Sequence, residues 1–427
     1  MKRKVITVAS VVALLATALA GCSPAGSDGG QITLDYWTHV NEPSQKVEEK
    51  LIAAYEAANP NVKINYLPVE FGTLPAKLNS AIAGGGGPDL FNYFQSYAPG
   101  LVGKGYLAPV DFTAFGVSDE AKFAARYSEA VLDGFKSDGK IVGVPHEIST
   151  YQFWINSDHF KAAGLDPVTD FPTTWADVSK AGAKIQSASG GPLEGLAIGL
   201  NNPVRDVLIL DAMARQAGQG LFSDDGLTSY VDSPSAIQAL QTLGNFVHVD
   251  KITDPALGPT ASTNAEDLFG AGTAGMVNQG GSWFQPILKS TYPDIAYTVG
   301  QYPNFGINEI GADLYGFGLY VPATSDHQDA AWKFAGYLSD NAGAYFEEAG
   351  VWLGDLDTLT GSATADVPNW DVFAEGFSRG HFLPPLVNYN EIVQSLENAI
   401  QQTVVNGMPA SESLSQANKE IEPLLAD

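Results

Sequence analysis

Aromatic rings beside carboxamides, imidazoles and carboxylates at the ends of apolar runs suit one chemistry. They can stack on a hydroxyl-rich ligand and satisfy its hydroxyls. Trp37 closes the alternating run Ile32-Thr33-Leu34-Asp35-Tyr36-Trp37, and His39, Asn41 and Glu42 follow it. Strand ends face ligand crevices in open α/β sheets, so these four are candidate contacts; a core Trp followed by a helix cap reads equally well. Trp283 is the strongest single candidate. Gly280-Gly281-Ser282 before it permit close backbone approach, and a bulky ring after small loop residues is hard to place in a core. Glu147, Ser149 and Tyr151 share one face of an extended segment after Pro145. An ion pair for Glu147 and core packing for Tyr151 are the plainer alternatives. Trp352 sits in Gly350-Val351-Trp352-Leu353, a loop, where it meets a ligand or plugs the space beneath it. Tyr389 precedes a helical run starting near Ile392.

Catalytic patterns are sparse by comparison. Gly84–Gly87 lead into Pro88 rather than Lys-Ser, so they are no phosphate-binding loop, and neither H-E-x-x-H nor G-x-S-x-G occurs. The six histidines, at 39, 146, 159, 248, 327 and 381, are scattered, so no zinc cluster and no cofactor is expected. Acidic side chains number 48, which leaves a two-carboxylate glycoside hydrolase open as an alternative.

Alternation and helical spacing predict the elements that would position these residues. Strands are expected at 32–37, 62–67, near Leu90-Phe91, at 196–200 and at 274–277, with helices at 47–58, 75–83, 235–247, 330–338 and 392–405. Strands alternating with helices imply a mostly parallel sheet covered on both faces, an α/β fold. At the N-terminus, basic Met1–Lys4, the apolar run Val5–Ala20 and then Leu19-Ala20-Gly21-Cys22 describe an export leader, too short to span a bilayer comfortably. Leu-Ala-Gly-Cys resembles a bacterial lipobox, which would make Cys22, the only cysteine, the acylated first mature residue. The mature chain then has no disulfide and no thiol nucleophile. Residues 22–30 read as a tether. The expected location is the outer face of the cytoplasmic membrane.

Removing residues 1–21 takes away Lys2, Arg3 and Lys4, shifts the net charge from −26 to −29 and leaves 406 residues, enough for two lobes. That field repels nucleic acid. Arg126, Arg205, Arg215 and Arg379 are the only mature arginines, so neutral ligands are favoured over phosphates and carboxylates. A monomer is expected.

Five separated segments, in order, resemble the extracellular solute-binding proteins of ABC sugar importers, the group that includes maltodextrin-binding protein. They are Gly84–Leu90, Gly139–Pro145 with Asn156, Pro172-Thr173-Thr174-Trp175-Ala176-Asp177, Ala274–Val277 with Gly280–Trp283, and Gly311–Pro322. The resemblance implies a two-lobed periplasmic-binding-protein-like fold with a ligand cleft and hinge between the lobes. It places lobe one at 31–147 plus 313–362 and lobe two at 148–312 plus 363–427. It adds Tyr93, Gln95, His146, Asn202, Arg205, Asp313 and Tyr315 to the candidate contacts. Maltodextrin binders carry a carboxylate where this chain has Ser149, a departure from their hydroxyl-binding scheme. The implied function is capture of a neutral mono- or oligosaccharide by lobe closure and delivery to an ABC permease. Binding of an anionic solute such as a glycerol phosphodiester, through Arg205, is a further alternative.

Overall fold

The computed structural model describes residues 31–137, 139–190, 193–254, 264–361, 364 and 366–425. The leader, Cys22 and the tether lie outside the described residues.

The strands, in chain order, are β1 Ile32–His39, β2 Val62–Val69, β3 Leu90–Phe94, β4 Lys136–Ser137, β5 Lys140–Ile141, β6 Val144–Thr150, β7 Gln152–Asn156, β8 Met276–Gly280, β9 Tyr297–Gly300 and β10 Leu314–Tyr320. Five form a mixed sheet in the order β2-β1-β3-β10-β6, and three form a second sheet in the order β8-β7-β9. β1 runs parallel to β2 and β3, whereas β10 is antiparallel to β3 and β6. The chain leaves the first sheet at Thr150, enters the second at Gln152 and returns to the first at Leu314.

Local signals account for the elements. Asn41 caps the helix Glu42–Ala58 by accepting from the Ser44 amide, and Pro43 suits its first turn. Val47, Leu51 and Tyr55 of that helix are buried against the first sheet with Leu34 and Tyr36. Thr174 caps Trp175–Ser189 and Asn202 caps Pro203–Gln216, again with a proline in the first turn. Pro203–Gln216, Pro234–His248 and Tyr389–Val404 bury a second core, in which Leu208, Leu240 and Leu396 are 1%, 0% and 0% exposed.

Two expectations differ: the sheets are not mostly parallel, since only the β1–β2 and β1–β3 pairs run parallel among the described strands, and one expected strand is missing. Residues 196–200 form no regular strand; bridges pair Glu194 with Ala274 and Ala197 with Val277. Beyond them the Gln279 side chain replaces the ladder: its Oε1 accepts from Gly199 N at 3.1 Å and its Nε2 donates to Gly199 O at 2.8 Å. A side-chain amide thus satisfies backbone groups that a strand would otherwise pair.

Candidate ligand-binding site

A cavity of about 340 Å³ opens where the ends of β1, β6 and β10 meet the loop after β8 and the start of Pro203–Gln216. That volume suits a small-molecule site. Nine expected residues line it: His39, Asn41, Glu147, Ser149, Tyr151, Asn202, Arg205, Trp283 and Tyr315.

One wall is an aromatic box. His39 lies flat on Phe317, with centroids 3.8 Å apart and planes 9° from parallel, and Phe94 and Phe71 meet Phe317 edge-on at 5.5 and 5.8 Å. A second group of rings in the lining holds Trp283, whose Nε1 donates to Tyr315 Oη at 2.6 Å, while Tyr315 stacks on Tyr151 at 4.8 Å. Gly281 makes this approach possible. A Cβ there would lie 2.5 Å from Ser149 Oγ and 2.6 Å from Trp283 Nε1.

Glu147 is set by a backbone irregularity. β10 pairs Gly316 with Ile148 and Phe317 with His146, so Glu147 is bulged out of the ladder, at φ 61°. The left-handed conformation costs a non-glycine residue about 1–2 kcal/mol, and such strain gathers at functional sites. Its Oε2 accepts from Asn41 Nδ2 at 3.1 Å and lies 3.4 Å from His39 Nε2. Burial pushes the carboxyl up to about 7, reinforced by Glu48 and opposed by His146 and the Asn41 hydrogen bond. Burial also lowers the His39 imidazole below its ordinary value, against the Asn92 hydrogen bond at 3.0 Å.

Arg205 is already neutralised. Its Nη1 donates to Glu266 at 2.7 Å and its Nη2 to Asn201 at 2.9 Å. Behind the wall, Glu48 accepts from the hydroxyls of Tyr36, Tyr66 and Tyr345. Glu48, His146 and Glu147 each offer one metal-ligating atom within 4.8 Å of the others. Glu48 is engaged by three hydroxyls and Glu147 by Asn41, whereas both ring nitrogens of His146 are buried without a hydrogen-bond partner among the described residues.

The other eight expected residues lie off the cavity, each for a visible reason. Trp37 is covered by Lys77, whose Nζ sits 4.5 Å from the ring centroid, and Glu42 points to solvent in the first turn of its helix. Tyr93 is buried against Phe91 and Tyr97. Gln95 is buried, donating to Ser96 and accepting from Gly316 N at 3.3 Å. His146 packs edge-on to Tyr345, 3.7 Å from Glu48. Asp313 is buried, and burial with neighbouring Asp211 raises its carboxyl well above the usual range. Trp352 is 1% exposed against Phe377, and Tyr389 packs on Tyr97. Phe71, Phe94, Val204, Leu208, Ser282, Phe317 and Val351 line the cavity without having been expected. Phe71 lies two residues beyond the end of β2, as Asn41 lies two beyond the end of the parallel β1.

Comparisons with known proteins give this geometry a family. The model of the bacterial extracellular solute-binding protein family matches residues 40–345. The arabinooligosaccharide-binding protein of Bacillus subtilis is 26% identical over 352 residues, covering 79% of this chain and 76% of its own. The GacH receptor of Streptomyces glaucescens, solved unliganded and with acarbose, superposes with a TM-score of 0.81 at 22% identity, covering 92% of this chain and 98% of its own. UgpB of Mycobacterium tuberculosis, solved with glycerophosphocholine, superposes with a TM-score of 0.80 at 17% identity, covering 93% and 99%. At such identities the two structures establish the shared two-lobed fold. With the family match spanning most of its length, this chain belongs to the bacterial extracellular solute-binding proteins.

Proposed function

We propose that the protein is the substrate-binding lipoprotein of an ABC importer, capturing a neutral oligosaccharide in the cavity at the ends of β1, β6 and β10. The observation that carries this reading is the pair of aromatic clusters that line one cavity, His39-Phe317 and Trp283-Tyr315, together with Asn41, Glu147 and Asn202. Ring faces supply apolar contact to sugar faces, and the polar side chains take up hydroxyls. Contacts to residues of both lobes would favour a closed form, and the closed form would dock on a membrane permease.

The lobes meet at the crossings near Tyr151 and Asp313, with lobe one close to 31–147 plus 313–362 and lobe two close to 148–312 plus 363–427. Cys22 carries the lipid anchor, the body works as a monomer, and no catalysis is assigned.

Arg205 on the wall is what an anionic ligand would use, but Glu266 at 2.7 Å already balances it, which disfavours that second reading. A thermal-shift panel of arabino-, malto- and xylo-oligosaccharides against sugar phosphates and glycerophosphodiesters tests the choice. A neutral oligosaccharide at a hundred times its Kd should add about 2.7 kcal/mol of stability and be recovered uncleaved. A phosphorylated compound giving the largest shift, or a hydrolysed glycan, would overturn the proposal.

A further inference from the structure

Glu147 faces the cavity with one oxygen held and one to spare. Asn41 donates to Oε2, from which His39 Nε2 lies 3.4 Å away, whereas Oε1 makes no hydrogen bond among the described residues. The residue is 8% exposed, so bulk water solvates it poorly. Nothing on the wall supplies a free cation. The charge of Arg205 is balanced by Glu266, with Nη2 on Asn201 and Nε buried without a partner, and no lysine lines the cavity among the described residues. A buried carboxylate oxygen in that position gains most from a ligand that donates hydrogen bonds, and loses most from one that brings a second negative charge.

We propose that Glu147 sets the polarity of the ligand: its carboxylate accepts from ligand hydroxyls, so that capture requires its deprotonation and rejects sugars bearing a carboxylate or phosphate at that end. This rests on the carbohydrate reading above. The backbone supports it, because the bulge that turns Glu147 out of the ladder interrupts the β6–β10 pairing and adds nothing to it. The titratable groups facing Glu147 are His39 from β1, Glu48 from the helix Glu42–Ala58, its neighbour His146, Tyr66 from β2 and Tyr345. Burial lowers the His39 imidazole below its ordinary value and raises the Tyr66 and Tyr345 hydroxyls above theirs, leaving Glu48 and His146 to be separated from Glu147 by experiment.

A ligand that binds the carboxylate lowers its pKa, so affinity rises with pH through about 7 and levels off above. Between pH 8 and pH 6 the wild type should weaken about tenfold. Calorimetry with the panel's tightest oligosaccharide, and with its uronic-acid counterpart, reads this directly. Glu147→Gln should bind weakly at pH 8, with no pH dependence and less discrimination against the acid. Glu48→Gln should keep a pH-dependent profile, its midpoint moved to lower pH because Glu48 no longer raises the Glu147 carboxyl. A profile that survives in Glu147→Gln, or wild-type affinity of that variant at pH 8, would overturn the proposal.

A ligand-free measurement stands apart from the carbohydrate reading. In infrared difference spectra of wild type minus Glu147→Gln, a carboxyl band should convert to carboxylate with a midpoint near 7. A midpoint in the ordinary range near 4.5 would contradict the proposal even if oligosaccharides bind. Should no panel sugar bind while the midpoint lies near 7, the carbohydrate reading and this proposal fall, and only the buried carboxyl stands.

Discussion

Two loops carry a tryptophan among small residues, and the fold uses them oppositely. Trp283, after Gly280-Gly281-Ser282, stays half-buried on the cavity wall and donates to Tyr315. Trp352, after Gly350-Val351, is 1% exposed, with its ring 4.5 Å from Phe377 and its Nε1 donating to Asp355 O at 2.8 Å. The loops even touch, through Ser282 Oγ and Gly350 O at 3.1 Å. Backbone pairing separates their fates. Ile148 N donates to Trp352 O at 2.6 Å, which fixes that segment as an extension of the β6 edge. Alternate residues then face opposite sides, so Val351 takes the cavity and Trp352 the core. Trp283 instead begins the turn into Phe284–Thr291, and its direction follows the helix start.

The comparison breaks most visibly at Trp352. Trp352→Ala should cost about 3–5 kcal/mol of unfolding free energy in chemical denaturation, as for a large buried ring, and leave the affinity of the remaining folded protein unchanged. An affinity loss with intact stability would put Trp352 on the binding surface.

Glu147→Gln sharpens the contrast from the other side. The folded carboxyl titrates near 7 and the unfolded one near its ordinary 4.5. Between those values the folded state keeps a proton that the unfolded chain has released. The stabilisation is full below pH 4.5 and lost as pH rises to 7. At pH 8, Glu147→Gln should therefore be more stable than wild type by on the order of 2–3 kcal/mol, the gap closing toward pH 4. Equal stabilities across that range would mean that Glu147 is not held in a desolvated site.

Parity also governs what the sequence made legible. Alternation and capping residues predicted β1, β2 and the helices Glu42–Ala58, Pro234–His248 and Tyr389–Val404 well, because local chemistry suffices there. It could not say which face of β3 meets the cavity. Tyr93 and Gln95 were expected there, yet the register that opposes Phe94 to Phe317 sends Phe94 to the cavity and Tyr93 to the core. Resemblance placed Asp313 and Tyr315 together on the returning segment. Only Tyr315 reaches the cavity, since Asp313 is enclosed beside Asp211. The Glu147 bulge arises from pairing with residues nearly 170 positions away, so no local pattern announces it.

The central claim is that the two aromatic clusters of the cavity bind the ligand, and calorimetry on Trp283→Ala tests it most directly. The ring is half-buried and lines the cavity, so its loss should weaken oligosaccharide binding by about 1–2 kcal/mol, roughly tenfold, while the melting temperature without ligand stays close to wild type. Undiminished affinity in a variant that melts early would make Trp283 a packing residue and move the binding site elsewhere.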